Sequence, residues 1–136
     1  MRVSTTSAGK VVLVRFDPDE DLLVGLRGAV EASGLRHAAV VGGVGSLRRF
    51  RAHVVGRPEL PTVDRFFQGE GPYDILAVTG LVIAGRVHAH ITVANTERTL
   101  GGHLEEGCRV LTFAVVTLLE LPEAEIAGWD GVGPLR

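Results

Sequence analysis

Cysteine is nearly missing from this chain: 136 residues hold one, Cys108. A lone cysteine excludes an internal disulfide and any CxxC metal motif. It stands just before an apolar run, a setting for inert packing rather than for a nucleophile. Basic excess is missing too. Lysine and arginine total 14 against 16 aspartates and glutamates, a net charge of −2, which gives nucleic acid no electrostatic footing. MRVSTTSAGK lacks the apolar stretch of a secretory leader. The longest apolar runs, 75–84 and 110–119, both contain threonine and fall well short of the ~20 residues that span a bilayer. These absences predict a soluble, cytoplasmic chain without membrane contact. Hydrophobic residues make up 46% and charged residues 22%, a globular balance, and the length suits one domain over 1–136.

What is present reads as strand, with one helix. "KVVLVRFD" (10–17) predicts the first strand. In "DPDEDLLVGLRGAVEASG", Asp17 is the expected N-cap, Pro18 the first helical residue and Glu20 the capping-box partner. Leu22, Leu23, Leu26 and Val30 form one apolar face, and Gly34 is the expected stop. "HAAVVGGVGSL", "RRFRAHVV", "YDILAVTGLVIAG", "VHAHITVA" and "RVLTFAVVTLLEL" are rich enough in β-branched residues to be strands. The expected fold is α/β of the α+β type, a mostly antiparallel sheet of six or seven strands packed with one main helix and minor helices.

Three of the five histidines fall within "VHAHITVANTERTLGGHLEEG" (87–107). Residues i and i+2 of a strand share a face, so His88 and His90 project together. If the chain reverses about Thr96–Glu97, residue i faces residue 193 − i and His90 faces His103. Three imidazoles on one face can ligate a metal at about 2.1 Å each, or they can be half-buried polar packing. The spacing leaves both open. Gly101 and Gly102 leave room there and can supply a bulge. Cupins also carry His-x-His on a strand, but Ala94 and Asn95 stand where their glutamate belongs. His37 and His53 lie outside the hairpin and are not expected to take part.

Other segments carry less. "GGVGS" (42–46) lacks the third glycine of a dinucleotide fingerprint and the lysine of a P-loop, and reads as a strand bend or close backbone approach. Alternation puts Arg49, Arg51 and His53 on one face, either solvated or turned to an anionic ligand. "GRP" (56–58) follows Val55 and has no basic flanks, so it reads as a turn rather than an AT-hook. Glu105 and Glu106 are loop residues that become acid/base candidates only beside a metal.

The succession "FDPDEDLL", "VVGGVGSLRRFRAH", "GPYDILAVTGLV", "VHAHITVAN" and "GGHLEEG" resembles the plant-and-prokaryote-conserved (PPC) domain, of the prokaryotic stand-alone type without an AT-hook. The resemblance covers about residues 10–120 and leaves 121–136 as a C-terminal extension. It implies a homotrimer, and a divalent metal held by His88, His90 and His103 near a subunit boundary. Three imidazoles suit zinc, and also admit iron, nickel, cobalt or manganese. The expected function is a metal site that binds or transforms a small molecule, with Glu105 or Glu106 moving protons and Arg49 or Arg51 holding an anionic ligand. The alternative is a non-catalytic oligomeric module with a regulatory or DNA-associated role. Without the hook, direct DNA binding is not expected.

Overall fold

A computed structural model describes residues 1–135. Strand β1 (Val11–Phe16) leads to helix α1 (Leu22–Ala32). Five strands follow: β2 (Ala38–Val55), β3 (Asp64–Ile83), β4 (Arg86–Ala94), β5 (Thr99–Leu104) and β6 (Arg109–Glu120). All pair antiparallel in one sheet of order β1-β6-β2-β3-β4-β5. The single antiparallel sheet with its one helix is the α+β arrangement that the sequence predicts.

The two long strands do double duty. The first half of β2 pairs with β6, while Ala52 and His53 near its end pair with Leu104 and His103 of β5. That last pairing closes β2, β3, β4 and β5 into a ring, from which β6 and β1 extend as a flange. "HAAVVGGVGSL" and "RRFRAHVV", read separately in the sequence, are one continuous strand. Register shifts at Val40/Gly42, Gly45/Leu47 and Leu47/Arg49 bend it. Segment 64–72, which carries no clear alternation, is the first part of β3.

Alternation sorts the side chains of the ring. Ala52, Ala89, Ile91, Val93 and Leu104 point into the core and are at most 1% exposed. Their sequence neighbours His53, His88, His90 and His103 therefore point to the other face. Leu22, Leu26 and Val30 of α1 complete the core with Phe16, Phe50 and Tyr73. Burying each such side chain contributes about 1.5–3 kcal/mol. Gly25 shows why a glycine stands inside α1: a Cβ there would lie 2.3 Å from the ring of Phe16. The "GGVGS" bend is likewise a close approach. Gly45 has φ +138°, and a Cβ on it would meet the Phe113 carbonyl oxygen at 2.1 Å.

The helix starts later than the sequence suggests. Its N-cap is Asp21, whose carboxylate accepts hydrogen bonds from the N–H groups of Leu23 and Val24 at 3.1 Å. Asp17 and Glu20 do exchange a back-bond, the Asp17 N–H donating to the Glu20 carboxylate at 2.6 Å. That bond closes a turn, because Asp19 takes φ +71° and breaks the path into a helix. Asp21 is further held by the strand pairing of its neighbours: Leu22 N–H donates to the Cys108 carbonyl and Val110 N–H to that of Glu20. Tertiary contacts thus choose between two acceptable caps. Among the described residues, no helix is long and apolar enough to cross a membrane.

Candidate functional site

The β4–β5 hairpin is built by a tight polar turn. Asn95 Oδ1 accepts the N–H groups of Glu97 and Arg98 at 3.0 Å, and Asn95 N–H donates to the Arg98 carbonyl. The turn is symmetric about 96–97, so His90 pairs with His103 and Ile91 with Gly102 without a register shift. The expected bulge at Gly101–Gly102 is therefore absent. Gly102 instead lets β2 come close, since a Cβ there would stand 2.7 Å from the His53 carbonyl oxygen.

That approach brings in a fourth imidazole. His53 faces His103 across the β2–β5 pair, and the two rings stack with centroids 4.4 Å apart and planes 22° from parallel. The His88 ring lies 4.8 Å from that of His103, the His90 ring 5.7 Å from His103, and His88 and His90 are 5.8 Å apart. Two things follow for a metal. Imidazole nitrogens about 2.1 Å from a tetrahedral ion place the ring centroids roughly 5 Å apart, the range seen among His88, His90 and His103. The second is the occupation of Nδ1. His103 Nδ1 lies 3.1 Å from the Leu104 carbonyl, which can only accept, so this nitrogen carries the proton and Nε2 keeps its lone pair. His88 Nδ1 lies 3.6 Å from Asp130 Oδ2, a charge contact longer than a hydrogen bond. The donor set fits a borderline divalent ion.

A second, tighter grouping shares His103: one donor atom each from His53, His103 and Glu105 lie within 4.8 Å of one another. Here the Glu105 carboxylate lies 2.5 Å from His53 Nδ1 and 3.6 Å from His103 Nδ1. Glu105 and His53 are thus already joined by a hydrogen bond, and a cation would have to displace its proton. Among the described residues, this is the one group of three or more such side chains whose donor atoms come that close, and the donors of His88, His90 and His103 would have to draw together around an ion.

Electrostatics favours the neutral ring at His90 and His103. Desolvation, and then the neighbouring imidazoles His88 and His53, hold the pKa of His90 below its ordinary 6.5. His103 is lowered chiefly by desolvation, then by His53 and His88, against a smaller opposing pull from Glu105 and the Leu104 carbonyl. Neutral imidazole is the form that ligates metal. Burial also pushes the Cys108 thiol up to about 11. Its Sγ–H donates to the Arg51 carbonyl while its sulfur accepts the Arg51 N–H, so it is a packed thiol and no nucleophile.

The remaining expected residues separate. Glu105 joins the histidines. Glu106 turns outward and pairs with Arg27. Arg51 stands at the border, 4.0 Å from Glu105 and with its guanidinium 5.0 Å from the Phe66 ring centroid. Arg49 is directed to Gln68 and Glu70 and touches no histidine. The face of Arg49, Arg51 and His53 is thus divided, and His53, only 15% exposed in its side chain, belongs to the imidazole group. A cavity of about 650 Å³ reaches His88 and His103, bordered by Arg27, Glu31, Arg86 and Asp130. Neither Arg49 nor Arg51 lines it. A hollow of about 700 Å³ near Pro72, Tyr73, Asn95 and Phe113 holds none of the histidines. His53, Arg27 and Asp130 escape a sequence reading because each arrives from a distant segment, whereas Arg86 stands two residues before His88 on β4 and could have been found by alternation.

Comparison with known proteins gives a consistent picture. The chain is 31% identical over 115 residues to the "Bifunctional protein GlmU" of Synechococcus sp. (strain JA-2-3B'a(2-13)). The match covers 84% of this chain and 17% of that protein, so the chain spans about a sixth of its relative's length. The fold is similar to that of a plant- and prokaryote-conserved protein from Pyrococcus horikoshii, with 25% identity and a TM-score of 0.74. That alignment covers 89% of this chain and 85% of the other. It is also similar to the metal-containing protein AF0104 from Archaeoglobus fulgidus, with 22% identity and a TM-score of 0.74 over 89% and 86% of the two chains. The family model of the Plants and Prokaryotes Conserved (PCC) domain matches residues 3–122. With its closed ring, its imidazole face and that match over most of its length, the chain belongs to the Plants and Prokaryotes Conserved domain family.

Proposed function

We propose that His88, His90 and His103 hold one divalent metal ion through their Nε2 atoms, and that the site binds or transforms a small molecule. The observation that carries this reading is the spacing of the three rings, 4.8–5.8 Å between centroids. The protonated Nδ1 of His103 supports it. So does the metal in the Archaeoglobus fulgidus protein of the same fold. Zinc is the ion we favour, because three neutral imidazoles leave a tetrahedral ion one open position. When bound, such an ion lowers the pKa of a coordinated water to about 7.

The chain's own groups supply the rest. Glu105, bonded to His53 and close to His103, is the carboxylate placed to accept a proton from a ligand on this face. Arg27 and Arg86, not Arg49 and Arg51, border the cavity that reaches His88 and His103, where an anionic ligand would compete with their partners Glu106 and Asp130. Elemental analysis of protein purified without an affinity tag tests the reading. Close to one equivalent of metal per chain is expected, and a chain that carries and takes up none would overturn it.

We further propose that the chain assembles with copies of itself as a homotrimer. Beyond the family resemblance, the outward sheet face supports this: Leu13 is 69% exposed, Val44 58% and Leu76 56%. Large apolar side chains left in water on several strands are what an interaction between copies would cover. Sedimentation equilibrium at micromolar concentration should give three times the 14.4 kDa chain mass; a monomer would end the claim. The net charge of −2 argues against DNA as the ligand of the chain itself.

A further inference from the structure

The family match ends at residue 122, yet the chain continues and returns to the imidazole face. The return path is anchored. Leu121 N–H donates to the His37 carbonyl, Glu123 N–H to the Thr6 hydroxyl and Glu125 N–H to the Ser4 hydroxyl. Ile126 is then buried to 6% exposure, and Trp129 N–H closes a turn onto the Ile126 carbonyl. This turn delivers two side chains to the histidines. Asp130 places Oδ2 3.6 Å from His88 Nδ1, while its other oxygen accepts a hydrogen bond from Arg86 at 3.0 Å. Trp129 forms one wall of a cavity of about 300 Å³ whose other walls include Leu81, Ile83, His88 and His90.

We infer that this segment beyond the family domain completes the site: Asp130 positions the His88 ring, and Trp129 walls the ligand cavity beside His88 and His90. The inference rests on the metal reading above. The chemistry runs from the outside inward. Arg86 holds one carboxylate oxygen and thereby fixes the rotamer of Asp130. The other oxygen lies 3.6 Å from His88 Nδ1, longer than a hydrogen bond, and its negative charge favours the tautomer protonated there, which leaves the lone pair on Nε2. A histidine ligand oriented by a carboxylate in this way typically loses 10–100-fold in metal affinity when that carboxylate is removed. The cavity itself is apolar along Leu81, Ile83 and Trp129, and polar where the imidazoles and Asp130 meet it. It suits a small ligand with an apolar body and an oxygen or nitrogen donor at one end.

The single tryptophan of the chain makes the placement measurable. Cobalt(II) absorbs in the near ultraviolet and visible and quenches indole emission at short range, whereas zinc(II) does not. Cobalt loading of the full chain should quench Trp129 emission by more than half, and zinc should reverse this on displacement. Asp130→Asn should raise the zinc dissociation constant roughly 10–100-fold, with Asp130→Glu recovering most of the loss and the metal-free melting temperature unchanged in both. Two results would overturn the inference while leaving the metal reading intact: cobalt bound by equilibrium dialysis without quenching, or Asp130→Asn binding zinc as the unaltered chain does. Failure of the unaltered chain to take up either ion removes both.

Discussion

His37 and the four imidazoles of the outer face show two ways of placing the same side chain. His37 is 5% exposed, and its Nδ1 accepts the N–H of Ala84 at 3.2 Å. Its Nε2 lies 3.3 Å from Arg36 Nε, and its carbonyl takes the N–H of Leu121. Its Nδ1 and its carbonyl are spent on holding chain segments together. His88, His90 and His103 differ, since their rings face one another and the fold uses at most one nitrogen of each. A histidine that the fold has satisfied is a structural part. A group of them with unspent lone pairs on one face is a site for something else.

The sharpest way to break this contrast is His90→Ala. It should abolish stoichiometric metal, a loss of affinity well beyond the 10–100-fold that follows from removing a supporting group. Isothermal titration with zinc reads the difference directly, and full retention of metal would return the three rings to packing. His53→Ala comes next. Removing the ring stacked on His103, and the partner of Glu105, should weaken zinc binding by about 10–100-fold without abolishing it. An unchanged dissociation constant would show that His53 is a bystander, as its position outside the hairpin first suggests.

His37→Ala should have the opposite profile. Metal binding stays as it was, and stability falls by about 0.5–1.5 kcal/mol because the part-buried hydrogen bond from Ala84 N–H is lost. Chemical denaturation of the metal-free chain checks this. The smallest effect is that of pH. The folded pKa values of His37, His90 and His103 all lie below 6.5. The unfolded chain therefore binds more protons than the folded one once the pH drops below about 6.5, and stability declines there. The melting temperature of the metal-free protein should be level from pH 8 to 7 and fall toward pH 5.5. A rise on acidification would mean that protonated imidazoles are favoured by the fold.

The legible part of the site was the part made by short-range geometry. Alternation puts His88 and His90 on one side of β4, and an Asn95 turn of a few residues fixes His103 opposite His90. Both are consequences of spacing along the chain. His53 and Asp130 reach the same face through contacts fifty and more than twenty-five residues away in sequence, where no local period carries the information. The helix shows the same limit on a smaller scale. Asp17 and Asp21 are equally good caps by residue type, and the choice falls to Asp21 because β6 and the turn before it hold that end of the chain: Gly107 N–H donates to Asp21 Oδ2 at 2.7 Å. The first part of β3 was hidden for another reason. Its residues 64–72 are mostly exposed on both faces and carry little hydrophobic contrast.

The closure of β5 onto β2 also decides where this chain can change in length. One residue added to β5 ahead of His103 would exchange the faces of His103 and the fully buried Leu104. A hairpin with a free edge could slide to absorb that step. Here β5 is clasped from both sides, by β4 through residues 99–103 and by β2 through 103–104, so no slide restores both partners. The connection from Gly56 to Val63 is under no such constraint, being largely exposed and tied across its base by one N–H···O contact between those two residues. Insertions and deletions should therefore gather at 56–63 among sequences of this kind, and the distance from His90 to His103 along the chain should stay constant wherever the histidines themselves are kept.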